Sequence, residues 1–213
     1  MPTVFYIGDS TVARNNIHSY PQTGMSQGLS LYLKESVTLS SHAKNGRSTK
    51  SFLDEGRFAP VAEALQPGDF LLIQFGHNDE KDDPARHTDP DTTFSANLRL
   101  FAEAALKKGA YPVLITPIAR RLFDEAGNFR PGSHGAYPDA VRRTARELGI
   151  PLIDLTGETE AYLAQLGDEP SKPLFMFPKD NTHLKPEGAV VMAGFLARGL
   201  EKEGAPYAGL LAH

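Results

Sequence analysis

A chain of 213 residues with 40% hydrophobic and 23% charged residues can bury a sizeable core and is ordinary in composition for a globular protein. No stretch approaches the ~18 consecutive apolar residues of a membrane span. A net charge of −4 with scattered Lys and Arg lacks the footprint of a nucleic-acid binder, and the absence of cysteine removes disulfides, thiolate metal sites and a cysteine nucleophile together.

The first apolar run, Val4–Ile7, starts almost at once. MPTVFYIG carries neither a basic n-region nor an apolar h-region, so a cytoplasmic location is expected. Gly8-Asp9-Ser10-Thr11 follows, and its serine either caps the next helix or carries chemistry. Asp9 is read as stabilising the turn through backbone bonds. Gly24-Met25-Ser26-Gln27-Gly28 matches a G-x-S-x-G elbow, but that motif needs a strand directly before it. The polar loop Asn16–Thr23 stands there instead, so Ser26 is expected to cap a helix over Ser26–Glu35.

Further along, strands are expected at Val37–Ser40, Phe70–Phe75, Val113–Thr116 and Pro151–Leu155. Continuous apolar runs of this length suit strands buried on both faces of a parallel sheet. Helices are expected at Pro60–Leu65, Thr93–Lys108, Ala136–Leu148 and Pro186–Lys202. Gly109 and Gly149 sit where helix-ending glycines belong, and Pro186 with Glu187 marks a first turn. The alternation predicts a parallel sheet with right-handed crossovers, helices on both faces, and one domain over residues 1–213.

Such sheets bind ligands beyond the carboxyl ends of their strands. Those ends carry Gly8-Asp9-Ser10-Thr11, Lys44-Asn45-Gly46-Arg47-Ser48 and Gly76-His77-Asn78-Asp79, while Asp180-Asn181-Thr182-His183 precedes the last helix. A serine hydroxyl needs a base to take its proton and a third group to orient that base. Of the seven histidines, His77 and His183 are best placed, and only His183 has an acid, Asp180, three residues before it. An acyl-transfer site also needs donors for the developing oxyanion. The Ser10 N–H, the Gly46 N–H and the Asn78 amide are the candidates.

These four blocks resemble, in order, those of the SGNH (GDSL-like) hydrolases. AKNGRSTKSF, QFGHNDEKDDP, PVLITPIARRLFDEAGNF and DNTHLKPEGA resemble the branch that holds rhamnogalacturonan acetylesterases. The resemblance covers nearly the whole chain. It implies an α/β, three-layer αβα, flavodoxin-like fold with a five-stranded parallel sheet, in which strand one feeds the middle of the sheet. It also implies cofactor-free and metal-free ester hydrolysis, with Ser10 as nucleophile, His183 as base, Asp180 as its orienter, and Ser10, Gly46 and Asn78 as the oxyanion hole. The expected substrate is an acetylated pectic oligosaccharide, with His77, Arg47, Arg120 and Arg121 as substrate-binding candidates, the arginines meeting galacturonate carboxylates.

Rival readings are an esterase for acetylxylan, short acyl esters, thioesters or lysophospholipids, a flavodoxin-like binding module, and a metal hydrolase using His77, Asp79, Asp180 and His183. Polar loops at Asn15–Thr23 and Glu80–Thr92 disfavour a long acyl chain. A phosphate-holding module would need more than the single glycine of Gly8-Asp9-Ser10-Thr11. Nothing in the sequence fixes the oligomeric state.

Overall fold

The computed structural model describes residues 1–212. Five strands, β1 (Thr3–Gly8), β2 (Thr38–Ser41), β3 (Phe70–Gln74), β4 (Tyr111–Ile115) and β5 (Leu152–Ile153), form one sheet in the order β2-β1-β3-β4-β5. Every pairing is parallel. The three central strands are apolar at almost every position because both faces are covered. Val4, Tyr6, Phe70, Leu72, Val113 and Ile115 pack into one core layer, while Phe5, Ile7, Leu71, Ile73 and Leu114 pack into the other. This is the period of two that a strand imposes.

The first layer is closed by α1 (Met25–Leu29), α6 (Leu155–Leu166) and α8 (Pro186–Lys202). The second is closed by α2 (Thr49–Asp54), α3 (Ala59–Ala64), α4 (Ser95–Lys107) and α5 (Tyr137–Leu148), with Phe52, Phe75 and Phe101 packed on one another at ring separations of 5.4–6.2 Å. A short helix, α7 (Asp168–Ser171), links α6 to the segment before α8. The three layers and the five-stranded parallel sheet are those implied by the resemblance.

Several expectations are corrected. Strand β1 lies next to the edge strand β2, and β3 holds the centre. The order reverses between β1 and β3, which is where such sheets open a crevice. Helix α1 stops at Leu29, well short of Glu35, and lies so close to α8 that a Cβ on Gly28 would be 2.3 Å from the Ala189 carbonyl oxygen. Its N-cap is Gly24, and Ser26 sits inside the first turn with its hydroxyl buried and unbonded, so it is no cap. Strand β5 ends at Ile153 because Asp154 already begins a helix, its carboxylate accepting from Gly157 N–H at 3.3 Å. Helices α2, α6 and α7 fall outside the expected helical segments; α2 is started by Ser48, whose hydroxyl accepts from Ser51 N–H at 3.2 Å.

Candidate active site

Beyond the ends of β1 and β3 lies a cavity of about 580 Å³, within the size range of ligand pockets. Ser10, Gly46, Asn78, Asp180 and His183 all line it. Four segments separated by as many as 173 residues therefore meet there.

Ser10 follows β1 in a tight turn. Asp9 shapes that turn, its Oδ1 accepting from the Thr11 amide at 2.9 Å and the Thr11 hydroxyl at 2.8 Å. The Ser10 hydroxyl lies 2.8 Å from His183 Nε2, and His183 Nδ1 lies 3.2 Å from Asp180 Oδ2. Asp180 is fixed in turn by two backbone amides, with Oδ1 accepting from Thr182 at 2.9 Å and from His183 at 2.7 Å. Burial pushes the Asp180 carboxyl up, but those two amides and the adjacent imidazole outweigh it and hold the group below the usual carboxylate range. An ionised Asp180 accepts from His183 Nδ1–H, which leaves Nε2 free to take a proton from Ser10.

The candidate oxyanion donors converge on the same cavity. Among the described residues, neither the Ser10 nor the Gly46 amide donates to an internal acceptor. Gly46 is required for its backbone rather than for clearance: its φ is +77°, while a Cβ there would meet nothing within 4 Å. Asn78 Nδ2 donates to the Arg47 carbonyl at 3.2 Å, and its Oδ1 accepts from Arg86 at 3.3 Å. Those bonds fix which way the amide faces and leave its second N–H for a ligand.

The four residues after Gly76 divide their tasks. His77 turns inward, with Nδ1 3.3 Å from Asp9 Oδ2, and burial drives its pKa down to about 4. It lines the cavity with only 3% of its surface exposed. Asp9 is lowered despite its burial by the His77 and Thr11 contacts. Asp79 points away from the cavity and accepts from Thr49 N–H at 3.0 Å, Thr49 Oγ1 at 2.6 Å and Thr88 Oγ1 at 2.9 Å; burial outweighs these bonds and raises it to about 7. Glu80 binds Arg120 and lies 2.9 Å from His134 Nδ1. The set His77, Asp79, Asp180 and His183 thus does not converge, and no group of three or more metal-ligating side chains occurs among the described residues.

The structure separates the arginines expected to meet substrate. Arg47 lies outside the cavity lining and holds Glu55 through Nε at 3.0 and 3.1 Å. Arg121 is buried, its guanidinium bound to Asp168, Ser171 and Asn181 and stacked between Phe123 and Phe177 at 5.2 and 4.8 Å. Only Arg120 lines the cavity, donating to Thr182 Oγ1 at 2.8 Å and pairing with Glu80. The sequence reading missed that Arg120 and Arg121 hold the two residues between Asp180 and His183. It also missed Gln22, Asn45, Lys81 and Arg86, which complete the wall.

The model of the GDSL-like lipase/acylhydrolase family matches residues 6–191. Rhamnogalacturonan acetylesterase RhgT of Bacillus subtilis is 43% identical, the match covering 95% of this chain and 91% of that protein. A rhamnogalacturonan acetylesterase of Emericella nidulans is 30% identical over 90% of this chain and 81% of its own. Among solved structures, YxiM of Bacillus subtilis superposes with a TM-score of 0.86 at 25% identity, over 96% of this chain and 57% of that one. The acetyl xylan esterase AlAXEase superposes with a TM-score of 0.68 at 20% identity, over 93% and 99%.

Proposed function

The chain belongs to the GDSL-like lipase/acylhydrolase family, and from that premise we propose that it is a serine acetylesterase that removes acetyl groups from acetylated rhamnogalacturonan oligosaccharides. The observation that carries this reading is His183, set between the Ser10 hydroxyl at 2.8 Å and the Asp180 carboxylate at 3.2 Å. The names of the two acetylesterases that match most of the chain support the substrate. A cavity wall made of polar residues and glycine supports an acetyl rather than a long acyl group.

The reaction runs in two halves. His183 Nε2 takes the Ser10 proton as Oγ attacks the acetyl carbonyl carbon, and the ionised Asp180 stabilises the resulting imidazolium. Charge gathers on the carbonyl oxygen, which the Ser10 N–H, the Gly46 N–H and the Asn78 amide receive. When the C–O bond to the sugar breaks, His183 returns its proton to the departing sugar oxygen and leaves an acetyl group on Ser10. Water then attacks with His183 again as base, and acetate and the free serine result.

The test is acetate release from acetylated rhamnogalacturonan and acetylated xylan oligosaccharides by wild type and Ser10→Ala. The proposal expects release from the first substrate and a loss of at least a thousandfold in the variant. Preference for acetylated xylan would reassign the substrate, and an active Ser10→Ala would overturn the mechanism.

A further inference from the structure

Two of the three cations on the cavity wall are paired by carboxylates outside it, Arg120 by Glu80 and Arg86 by Asp83. Lys81, Arg86 and Arg120 line it against a single carboxylate, Asp180, although the whole chain carries a net charge of −4. Asp180 is bonded to His183 and two backbone amides and forms no ion pair with these cations among the described residues. Arg120 is paired with Glu80 and bonded to Thr182. Arg86 rests on Asp83 through Nε at 2.7 Å and touches Asn78 Oδ1 through Nη1 at 3.3 Å, while its Nη2 donates to nothing among the described residues. The Lys81 ammonium has neither a carboxylate nor a hydrogen-bond partner among them.

We infer that Lys81 and the unpaired edge of Arg86 form a carboxylate subsite, which takes the acid group of a uronic-acid residue neighbouring the acetylated sugar. The inference deepens the acetylesterase reading by naming what the site recognises beside the ester, and it transfers the role expected of Arg47 and Arg121 to two other cations. Arg86 supplies the geometric link: it touches Asn78, so a carboxylate held on it lies next to the amide proposed to meet the oxyanion. The fork of a guanidinium positions a planar carboxylate, and the ammonium adds a mobile charge. Gln22 and Asn45, on the same wall, offer amides to sugar hydroxyls.

The experiment is calorimetric titration of the protein with trigalacturonate and with its fully methyl-esterified form, in which uncharged methyl esters replace the carboxylates. Wild type should bind the acid at least about tenfold more tightly, the scale of one ion pair at a partly screened surface. Lys81→Gln should lose most of that preference and Lys81→Arg should keep it. In turnover, Lys81→Gln should raise KM for acetylated acidic oligosaccharides at least several-fold more than for their methyl-esterified forms. Equal binding of the two trimers by wild type, or a preference that survives in Lys81→Gln, overturns the subsite. Binding needs no turnover, so an inactive enzyme would sink the acetylesterase reading alone.

Discussion

Arg120 donates to Thr182 Oγ1 at 2.8 Å and so ties the β4–α5 connection to the residue immediately before His183. Arg121 does the same one residue earlier, its amide donating to the Asn181 carbonyl at 2.8 Å and Nη1 to the Asn181 side chain at 3.0 Å. The loop that carries Asp180 and His183 is therefore gripped at both intervening positions.

Arg120 is accordingly a positioning residue. A hydrogen bond from a charged donor contributes about 1.5–3 kcal/mol, so Arg120→Ala should lower kcat for a small chromogenic acetate about ten- to a hundredfold. KM should change little, and Arg120→Lys should recover part of the loss. A variant whose KM rises while kcat holds would assign Arg120 to substrate instead.

Arg121 answers to stability. Its guanidinium is buried with Asp168, Ser171 and Asn181 as partners, and removing one member of such a set leaves the others unpaired, at a cost of about 3–5 kcal/mol. Arg121→Ala should therefore lower the unfolding midpoint in denaturant far more than Arg47→Ala, whose Glu55 contact is exposed. Equal midpoints for the two variants would contradict the distinction.

Asn78→Ala should reduce kcat by about a hundred- to a thousandfold with KM nearly unchanged, the behaviour of a lost oxyanion donor. Steady-state kinetics on a small acetate decide it. A loss expressed in KM would make Asn78 a ground-state contact.

Asp79 gives a pH-dependent prediction. Its folded pKa of about 7 lies above the unfolded carboxyl value of about 3.9, so between these limits the folded state binds the extra proton. Its contribution to stability is full below about pH 4, falls as pH rises, and levels off above about pH 7. The buried His77, lowered to about 4, contributes in the opposite sense over nearly the same range, so the wild-type curve alone does not isolate Asp79. The readout is thus the difference between wild type and Asp79→Asn, which keeps an acceptor without titrating. The variant's Tm relative to wild type should rise steadily from pH 4.5 to pH 7. Parallel curves would show that Asp79 titrates alike in both states.

Much of this architecture is legible in local sequence. Burial on both faces makes β1, β3 and β4 continuous apolar runs, and Pro186 with Glu187 marks the start of α8 at its observed residue. Helix α6 escapes because Thr156, Gly157 and Thr159 are weak helix formers; the signal that finds it is Asp154 as N-cap with Glu158 in the first turn. Ser10, Gly46, Asn78, Asp180 and His183 are readable because each sits at a strand end or beside the last helix. The roles of Arg120 and Arg121 are not. Their partners Glu80 and Asp168 lie 40 and 47 residues away, and a charged pair in sequence does not reveal which carboxylates the fold brings to it.

The central claim is that Ser10 forms the bond to the acyl group. The most direct measurement treats the protein with an alkyl fluorophosphonate, follows acetate release, and maps the label by peptide mass spectrometry. One phosphonyl group per chain is expected on the peptide containing Ser10, with loss of activity in proportion to labelling and no label in Ser10→Ala. Full inactivation with the label on another residue, or full activity with Ser10 modified, would contradict it.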